Sequence, residues 1–491
     1  MRTGILVLLV ALSIGFASAQ ANRTPVIVDT DMAADDWFAL LYLLQHPDAD
    51  VLAITVTGAG EATCPIGAEN ALDLLTLTGD IRVPVACGQN EPLEGAHVFP
   101  QAWRDDSDRM SRLSLPDNPI AADERGAVAL LIDTLNEASS PVTVITLGPL
   151  TNVAQALTEA PEITAKIERI VIMGGAVEVP GNVQPVIADN PYAEWNIYVD
   201  PTALDIVLNS GVPVTLVGLD ATNQVPVTPA FFRTLGRDRT TTAANFVFEA
   251  LEKSFDMIQS EQRSFWDPLT VAATIDPSLM TTQTMPMRVI TAEGAESGRT
   301  AVNESGQPVE VAVGVDADRF EQAFLNVLNN RAPDAEIAAM APGDPSVNKA
   351  LAQRYYDEIW GQNDLSALEE LLDEAFWSYT NEDSFASGRD ELTGTLGMLH
   401  EAMPDLRVEV LQLIGEGDFV VARLVITGTH IGDFMSIPLS GNAVRFALTS
   451  VLTVSGGKIV EERQTLDILS LVAGLGILPP DALDALYGGG E

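Results

Sequence analysis

Basic residues are scarce in this chain of 491 residues, which has 26 lysines and arginines against 69 aspartates and glutamates. The resulting net charge of −43 at pH 7 opposes binding to the phosphates of nucleic acids and to anionic membrane surfaces. We therefore expect neither nucleic acid nor a membrane among the partners of the protein. The excess of acids instead favours solubility in salty or extracellular surroundings.

Long apolar runs are absent after the first 20 residues, so the sequence predicts no membrane helix in the rest of the chain. The one early run, Ile5–Phe16, follows Arg2 and precedes a small-x-small site at residues 17–19. This combination is typical of a secretory signal peptide. We predict that residues 1–19 are that peptide and that the protein is periplasmic or secreted.

Cysteine is also rare, because Cys64 and Cys87 are the only two. In an oxidising compartment they could form a disulfide, since each follows a predicted strand at the same edge of a sheet. Two buried free thiols are an equally good interpretation. The sequence leaves both open.

The length of the chain predicts two domains, and 47% hydrophobic residues are enough for two cores. Over residues 20–330 strand-like and helical patterns alternate, which predicts an α/β domain with an open, mainly parallel sheet and helices on both faces. Residues 331–345, rich in Ala, Pro, Asp and Gly, are predicted to be a linker. Residues 346–480 have helices first and strands later, which predicts a smaller α+β domain. Residues 481–491 are expected to form a tail.

The strands predicted in the first domain are short and β-branched, and they cover residues 26–28, 51–56, 83–86, 142–146, 170–173 and 214–217. Two later strands, 287–290 and 309–313, are expected at the edges of the sheet. A single long helix is expected over residues 242–259.

Four carboxylates follow the first predicted strand closely: Asp29, Asp31, Asp35 and Asp36. The first two share one side of the strand, and the other two fall in the first turn of the next helix. They thus lie at the carboxyl edge of a parallel sheet, where α/β folds bind ligands. Because adjacent carboxylates repel one another, we predict a bound divalent cation, Ca²⁺ or Mg²⁺. The alternative, an Asx turn with a helix cap, needs only one or two of these acids.

The run from Asp29 to Asp36 resembles the Asp-rich signature of the inosine-uridine-preferring nucleoside hydrolases, with Met32-Ala33 in place of Pro-Gly. The resemblance covers residues 25–330. It implies a calcium-dependent enzyme that hydrolyses the N-ribosidic bond of nucleosides to ribose and free base. Further motifs occur in family order at residues 148–152 (Gly-Pro-Leu-Thr-Asn), 173–182, 194–196 (Glu-Trp-Asn) and 265–267 (Phe-Trp-Asp).

The resemblance assigns roles to individual residues. Asp31, Asp36, Asp267 and the backbone carbonyl of Leu147 would bind calcium, and Asp31 would also be the general base. Taken singly, an Asn after a Gly, such as Asn182, is usually a turn residue, and a lone Glu, such as Glu194, is usually solvated. The assignment of these residues to the site therefore depends on the order of the motifs along the chain. The residues expected to contact the ribose are Asp35, Met173, Asn182, Glu194 and Asn196.

Two positions near the expected base depart from the family pattern. Many members have His before the last metal-binding acid, whereas this chain has Trp266, as in the purine-preferring members that hold the base between aromatic rings. Trp266 as ordinary core filler is the alternative. Phe99 or Trp103 is expected to complete the stack. Glu61 stands where the family often has Asn, and we expect it to give a proton to the leaving base.

Residues 346–478 resemble the SnoaL-like polyketide cyclases, which implies a cone-shaped α+β barrel around an apolar pocket. Enzymes of that family often have His where this chain has Tyr379 and Glu462, whereas Asp467 matches a commonly retained acid. The loss of both histidines favours a binding or dimerising module, and an assembly of identical chains is compatible with the sequence. The segments that carry the resemblance are 348–351, 355–360, 404–408, 427–430 and 457–462.

Three functions are therefore weighed. The first is a secreted, calcium-dependent nucleoside hydrolase with an appended pocket domain. The second is a small-molecule isomerase or cyclase acting through the C-terminal pocket, and the third is an inactive ligand-binding protein. The complete acid set argues against the third function, and Asp467 without histidine partners argues against the second. We predict the hydrolase, with nucleosides as substrates and the preferred base left open.

Overall fold

The computed structural model describes residues 23–260, 262–335, 344–380, 385–435 and 437–478. Its contacts divide the chain into two units, Met1–Ile337 and Ala338–Glu491. The predicted signal peptide, most of the predicted linker and the predicted tail lie outside the described residues. Within those residues no helix is both long enough and apolar enough to cross a bilayer.

The first unit is built on one mixed sheet. Its strands are β1 (Thr24–Thr30), β2 (Ala49–Val56), β3 (Val85–Cys87), β4 (Val142–Thr146), β5 (Ile167–Met173), β6 (Val214–Val217), β7 (Met280–Val289), β8 (Thr300–Val302) and β9 (Gln307–Val315). Their spatial order is β3-β2-β1-β4-β5-β6-β9-β7-β8. Among the described strands of this sheet only β7 runs in the opposite direction, and it pairs in antiparallel with both β9 and β8. The predicted mainly parallel α/β sheet is confirmed.

The prediction for the last strands of this sheet is partly wrong. Neither of the two strands predicted at the edges lies there, because β9 pairs in parallel with β6 and in antiparallel with β7, and β7 pairs in antiparallel with both β9 and β8. The edge is formed by the short strand β8, which the sequence pattern did not predict. A local apolar pattern shows that a strand is buried but does not show which strands flank it.

Helices cover both faces of the sheet in the first unit. The predicted long helix over residues 242–259 is interrupted at Ser254, whose ψ of 26° departs from helical geometry. The helices are α1 (Ala34–Gln45), α2 (Ile66–Leu75), α3 (Gln101–Asp108), α4 (Ala127–Glu137), α5 (Thr151–Glu159), α6 (Trp195–Val199), α7 (Pro201–Leu208), α8 (Leu219–Thr222), α9 (Pro229–Arg237), α10 (Thr242–Lys253), α11 (Phe255–Gln259), α12 (Trp266–Ile275) and α13 (Ala317–Leu328). Short 3₁₀ segments lie at Met110–Arg112, Pro161–Lys166 and Pro277–Leu279.

The central strands are buried on both faces, which is why they read as continuous apolar runs. Val26, Ile27 and Val28 of β1 are fully buried, and all five residues of β4 are buried. Because the parallel strands share one direction, their carboxyl ends meet at one edge of the sheet. The segments that follow β1, β2, β4 and β5 are therefore brought together there.

The second unit has a single six-stranded sheet among its described residues, in the order β11-β10-β15-β14-β13-β12. Two of its strands, β10 and β11, were not predicted, but the α+β class is confirmed. The strands are β10 (Leu372–Thr380), β11 (Phe385–Gly388), β12 (Arg407–Glu416), β13 (Phe419–Thr429), β14 (Ala443–Ser455) and β15 (Lys458–Leu466). The helices are α14 (Pro345–Arg354), a π-helical continuation (Tyr355–Gly361), a 3₁₀ segment (Leu365–Ala367), α15 (Leu368–Leu371), α16 (Arg389–Ala402) and α17 (Ile468–Gly474).

Candidate active site

A cavity of about 420 Å³ opens at the carboxyl edge of the first sheet. Its wall takes residues from the segments after β1, β2 and β4, from the end of β5, and from the start of α12. Every residue that the sequence predicted for the site lines this one cavity: Asp31, Asp35, Asp36, Glu61, Leu147, Met173, Asn182, Glu194, Asn196, Trp266 and Asp267.

Asp29, the first acid of the Asp-rich run, does not line the cavity. Its Oδ1 accepts hydrogen bonds from the Thr55 hydroxyl at 2.6 Å and from Asn152 Nδ2 at 2.8 Å. The side chain therefore ties β1 to β2 and to α5. Burial raises the pKa of Asp29 to about 7 in spite of these donors. Of the four clustered acids, this one holds the sheet edge together rather than facing the cavity.

Three carboxylates come closest to each other. Ligand oxygens of Asp35, Asp36 and Asp267 all lie within 4.8 Å of one another. The first two stand in the first turn of α1 and the third in the first turn of α12, so two helix N-termini face the same negative charges. Asp31 lies beside this trio, and its backbone N–H donates to Asp36 Oδ1 at 3.2 Å.

Hydrogen-bond donors are too few for these acids. Asp36 Oδ1 accepts from the Thr30 hydroxyl, but Asp36 Oδ2 and Asp267 Oδ1 are buried with no partner among the described residues. Burial and the neighbouring charges raise the pKa of Asp31 and of Asp267 well above the usual range, and burial raises the pKa of Asp36 to about 6. Unpartnered carboxylate oxygens in one place fit a hard divalent cation.

Glycines let the chain approach Asp31. A Cβ at Gly60 would lie 2.1 Å from Asp31 Cβ, and a Cβ at Gly148 would lie 2.6 Å from it. Only glycine fits at either position, which explains why Gly60 of the β2 loop and Gly148 of the Gly-Pro motif flank this acid. Asp31 Oδ2 in turn accepts from the Glu61 N–H at 3.1 Å. The side chain is held between two loops.

Asp35, one of the residues predicted for the ribose, belongs to the acid trio, whereas Asn182, Glu194 and Asn196 follow β5 in the chain. The fold already uses part of the hydrogen-bonding capacity of these three. Glu194 caps α6 by accepting from the backbone N–H groups of Asn196 at 3.0 Å and Ile197 at 3.2 Å. It also accepts from Gly175 N–H at 3.0 Å, and burial still raises its pKa to about 7. Asn182 Oδ1 accepts from the Trp195 N–H at 3.1 Å. Their contacts with a sugar stay predictions.

Asn196 connects two strand ends. Its Nδ2 donates to the Leu147 carbonyl at 2.8 Å and to the Met173 carbonyl at 3.3 Å. A carbonyl oxygen has two lone pairs, so that of Leu147 keeps one for a cation. This amide thereby fixes the carbonyl that the resemblance assigns to the metal.

Four aromatic side chains line the cavity: Phe99, Trp103, Trp195 and Trp266. The Phe99 ring is stacked on Trp195 with centroids 5.2 Å apart, and Trp103 meets Trp195 edge-on at 5.3 Å. Trp266 begins α12, lines the same cavity, and has a buried Nε1 without a partner among the described residues. The sequence suggested Phe99 and Trp103 for this wall but assigned no role to Trp195. The feature of the sequence that could have indicated a role for Trp195 was its position between Glu194 and Asn196, two residues predicted for the site.

Glu61 lies on the loop after β2. Its Oε2 accepts from the Ser107 hydroxyl at 2.8 Å, and burial next to Asp35 and Asp36 raises its pKa to about 7. Cys64, three residues further on, is bonded to Cys87 at the end of β3. Of the two interpretations of the cysteines, the disulfide is the one found, and it anchors this loop.

Arg263 is a site neighbour that the sequence interpretation missed. It is 8% exposed, and the charges of Asp35 and Glu61 partly offset the lowering of its pKa by burial. Its guanidinium lies 5.5 Å from the centroid of the Phe38 ring. The sequence did contain a signal for this role, because Arg263 is one of few basic residues in the chain and lies four residues before Asp267.

Comparisons with known proteins agree with this geometry. The family profile of the inosine-uridine preferring nucleoside hydrolases matches residues 26–322. A pyrimidine-specific ribonucleoside hydrolase, RihA, of Salmonella agona is 36% identical over 318 residues, which are 62% of this chain and 97% of that protein.

Solved structures agree as well. An inosine-uridine preferring nucleoside hydrolase from Bacillus anthracis has a TM-score of 0.56 at 26% identity, covering 63% of this chain and all of that one. A purine-preferring ribonucleoside hydrolase from Gardnerella vaginalis has a TM-score of 0.55 at 32% identity, covering 64% of this chain and 100% of that one. The profile of the SnoaL-like polyketide cyclases matches residues 350–475. The chain therefore belongs to the inosine-uridine preferring nucleoside hydrolase family and carries a SnoaL-like domain after its hydrolase domain.

Proposed function

We propose that the protein hydrolyses the N-ribosidic bond of nucleosides in a calcium-dependent reaction, with Asp31 as the general base. The observation that supports this most strongly is the donor-poor acid cluster, in which Asp36 Oδ2 and Asp267 Oδ1 are buried without partners. Leaving two buried carboxylate oxygens unpaired would be costly, and a cation removes that cost.

Asp31, Asp36, Asp267 and the Leu147 carbonyl would hold the ion. When bound, Ca²⁺ supplies Lewis acidity and positive charge at this point. Asp31 would accept the proton of the water that attacks the anomeric carbon. Its fixed position, between Gly60 and Gly148, suits a base that must keep one orientation.

The sugar would lie against Met173 and the polar wall. Asn182, Glu194 and Asn196 would bind its hydroxyls, and Asp35 would do so from the side of the acid cluster. The transition state resembles an oxocarbenium ion, so the negative charge of Asp35 also opposes the positive charge that develops on the ring.

The base would lie among the aromatic side chains. Trp266 would stack on it from one side, and Trp103 or Phe99 from the other. Negative charge grows on the base as it departs, and Glu61 would give it a proton directly or through water. The Salmonella agona relative is pyrimidine-specific and the Gardnerella vaginalis relative is purine-preferring, so the preferred base is left to experiment.

We also propose export from the cytoplasm. The basic, apolar and small-residue pattern of residues 1–19 supports this, and so does the disulfide between Cys64 and Cys87, because such bonds persist mainly in oxidising compartments. Fractionation of cells that express the full chain would test it. Recovery of the uncleaved chain from the cytoplasm would overturn this part of the proposal.

The reaction is tested by incubating the purified full chain with inosine, adenosine, uridine and cytidine and measuring free base by chromatography. We expect base release from at least one nucleoside, its loss after treatment with a chelator, and its recovery on adding Ca²⁺. Release that is unaffected by thorough chelation would overturn calcium dependence while leaving the hydrolase. No release from any nucleoside in the presence of Ca²⁺ would overturn the proposed function.

A further inference from the structure

The second unit encloses its own cavity of about 390 Å³, between the concave face of its sheet and the helices α16 and α17. This volume is in the usual range for small-molecule pockets, about 300–1,000 Å³. The sheet side is formed by residues of β10, β14 and β15. The apolar side chains that line the cavity are Trp360, Leu392, Leu396, Leu399, Phe434, Met435, Phe446, Leu448, Leu466, Ile468 and Leu471.

None of the described residues that line this cavity is charged. The other five are polar but neutral: Ser378, Thr380, Ser387, Thr395 and Gln464. A ligand with a carboxylate, phosphate or ammonium group would have to lose its hydration here without gaining an opposite charge, which is strongly unfavourable. The lining therefore selects uncharged molecules.

Two acids of this unit, Glu462 and Asp467, could have supplied negative charge to the cavity, but both are hydrogen-bonded within the fold. Glu462 is fully buried, and its carboxylate accepts from the hydroxyls of Tyr355 at 2.8 Å, Tyr356 at 2.9 Å, Ser450 at 2.9 Å and Ser378 at 3.2 Å. Four donors satisfy it within the fold.

Asp467 is also occupied, because it caps α17 by accepting from Ser470 N–H at 3.1 Å and from the Ser470 hydroxyl at 2.6 Å. Neither this acid nor Glu462 is among the residues that line the cavity. Neither is therefore available there as an acid or a base.

Among the described residues that line the cavity, two buried polar atoms have no partner: the acceptor Gln464 Oε1 and the donor Trp360 Nε1. The Nε2 of Gln464 donates to the hydroxyls of Ser378 at 3.1 Å and Thr380 at 3.0 Å. These two bonds fix the orientation of the amide, and its Oε1 is buried without a donor among the described residues. A buried acceptor in this state favours a ligand that donates an O–H or N–H to it.

We propose that this cavity is a binding site, not a second catalytic site, for an uncharged and mainly apolar small molecule that donates one hydrogen bond to Gln464. Because none of the described lining residues is charged, none of them can serve as a catalytic acid or base. The proposal stands apart from the hydrolase reaction and does not depend on it.

The full chain is titrated with N-phenylnaphthylamine, an uncharged fluorophore with one N–H donor, and with anilinonaphthalene sulfonate, which has the same rings plus a sulfonate. We expect one N-phenylnaphthylamine per chain, with a blue-shifted emission. The sulfonate should bind at least about tenfold more weakly, because its charge finds no partner. Equal affinities for the two probes, or no binding of the neutral probe, would overturn the proposal.

Two threonines of α16 provide a matched pair of variants. Thr395 lines the cavity and Thr393 does not, although each donates its hydroxyl to a backbone carbonyl of the preceding turn. Thr395→Phe should abolish N-phenylnaphthylamine binding, and Thr393→Phe should preserve it. Circular dichroism checks that both variants are folded. Binding that survives Thr395→Phe in a folded chain would place the probe elsewhere and overturn the assignment.

The role of Gln464 is tested separately with Gln464→Leu. Losing one hydrogen bond should weaken N-phenylnaphthylamine by roughly five- to tenfold. Phenyl naphthyl ether, which has no donor, should lose no affinity in a competition assay. Equal losses for the two probes would mean that the substitution alters the shape of the cavity, and the predicted hydrogen bond would then be wrong.

Discussion

Two cavities, one in each unit, are nearly equal in size and opposite in chemistry. The first, about 420 Å³, is lined by the acids Asp31, Asp35, Asp36, Glu61, Glu194 and Asp267. The second, about 390 Å³, has no charged residue among the described residues that line it. Size therefore does not distinguish a hydrolase site from a binding site in this protein. What distinguishes them is whether buried carboxylates are left without donors.

Asp267 and Glu462 show this difference most clearly. Both carboxyl groups are buried, and burial raises the pKa of each. Glu462 accepts from four hydroxyls, whereas Asp267 Oδ1 has no donor among the described residues. The saturated carboxylate of Glu462 is explained by the fold, whereas the unsaturated oxygen of Asp267 at the wall of a cavity fits a cation or a substrate.

The largest expected effect is that of Asp267→Asn. Removing one charged oxygen from the cluster should lower kcat/KM on nucleosides by more than about 1,000-fold, because changes further from a metal already cost 10–100-fold. Asp200→Asn is the control. Asp200 is a buried acid of the same unit that accepts from Leu93 N–H at 2.8 Å and the Thr151 hydroxyl at 2.7 Å. Steady-state kinetics measures kcat/KM for both variants. Similar losses in Asp267→Asn and Asp200→Asn would contradict the claim that carboxylates without donors have a different role from carboxylates that the fold satisfies.

A smaller effect is expected for Glu61→Gln, which keeps the shape of the side chain but removes its acidic proton. Nucleoside hydrolysis should fall about 100-fold, the usual contribution of a general acid. Hydrolysis of p-nitrophenyl riboside should change little, because p-nitrophenolate leaves without protonation. The rates of hydrolysis of both substrates are measured for the wild type and the variant. An equal loss on the two substrates would mean that Glu61 positions Asp31 and does not protonate the leaving base.

Trp266→Ala is expected to act through the base alone. Stacking on one aromatic ring contributes about 1–3 kcal/mol in other nucleobase sites, so nucleosides should lose roughly ten- to hundredfold in kcat/KM. The same variant should keep most of its activity on p-nitrophenyl riboside. If both substrates lose equally, Trp266 serves only to position Asp267, its neighbour in α12.

The smallest expected effect concerns Glu462 in the second unit. Its folded pKa is raised by burial, so its contribution to stability is complete below the unfolded pKa and is lost as pH rises through the folded value. Glu462→Gln should therefore gain stability relative to the wild type as the pH rises above the ordinary Glu pKa of 4.5, because the buried wild-type carboxyl is increasingly penalised there. Hydrogen exchange in β14 and β15 reports on this unit by itself. A difference that does not vary with pH would contradict the assignment.

Much of the site was predictable because it depends on sequence order and on one rule of parallel sheets. Strands such as Val142–Thr146 are rich in β-branched residues and buried throughout, and the residues that follow such parallel strands must meet at one edge. This is sufficient to bring Asp31, Glu61 and Leu147 together. Their chemical roles stay predictions, because proximity alone does not assign them.

The features that were missed depend on long-range packing. β10 begins Leu-Asp-Glu-Ala, a run that is equally compatible with the end of a helix, and only pairing with β11 and β15 makes it a strand. The charge of Arg263 interacts with those of Asp35 and Glu61, which lie far earlier in the chain, so the interaction depends on the tertiary fold. The pairing of the cysteines also required the distance between two loops, which the sequence does not contain.

Calorimetric titration of the chelator-treated chain with Ca²⁺ tests the central claim most directly. The account predicts one Ca²⁺ bound per chain, severe weakening in Asp36→Asn and in Asp267→Asn, and unchanged affinity in Asp200→Asn. Wild-type protein that binds no Ca²⁺, or Asp36→Asn and Asp267→Asn variants that bind it as tightly as the wild type, would contradict the account.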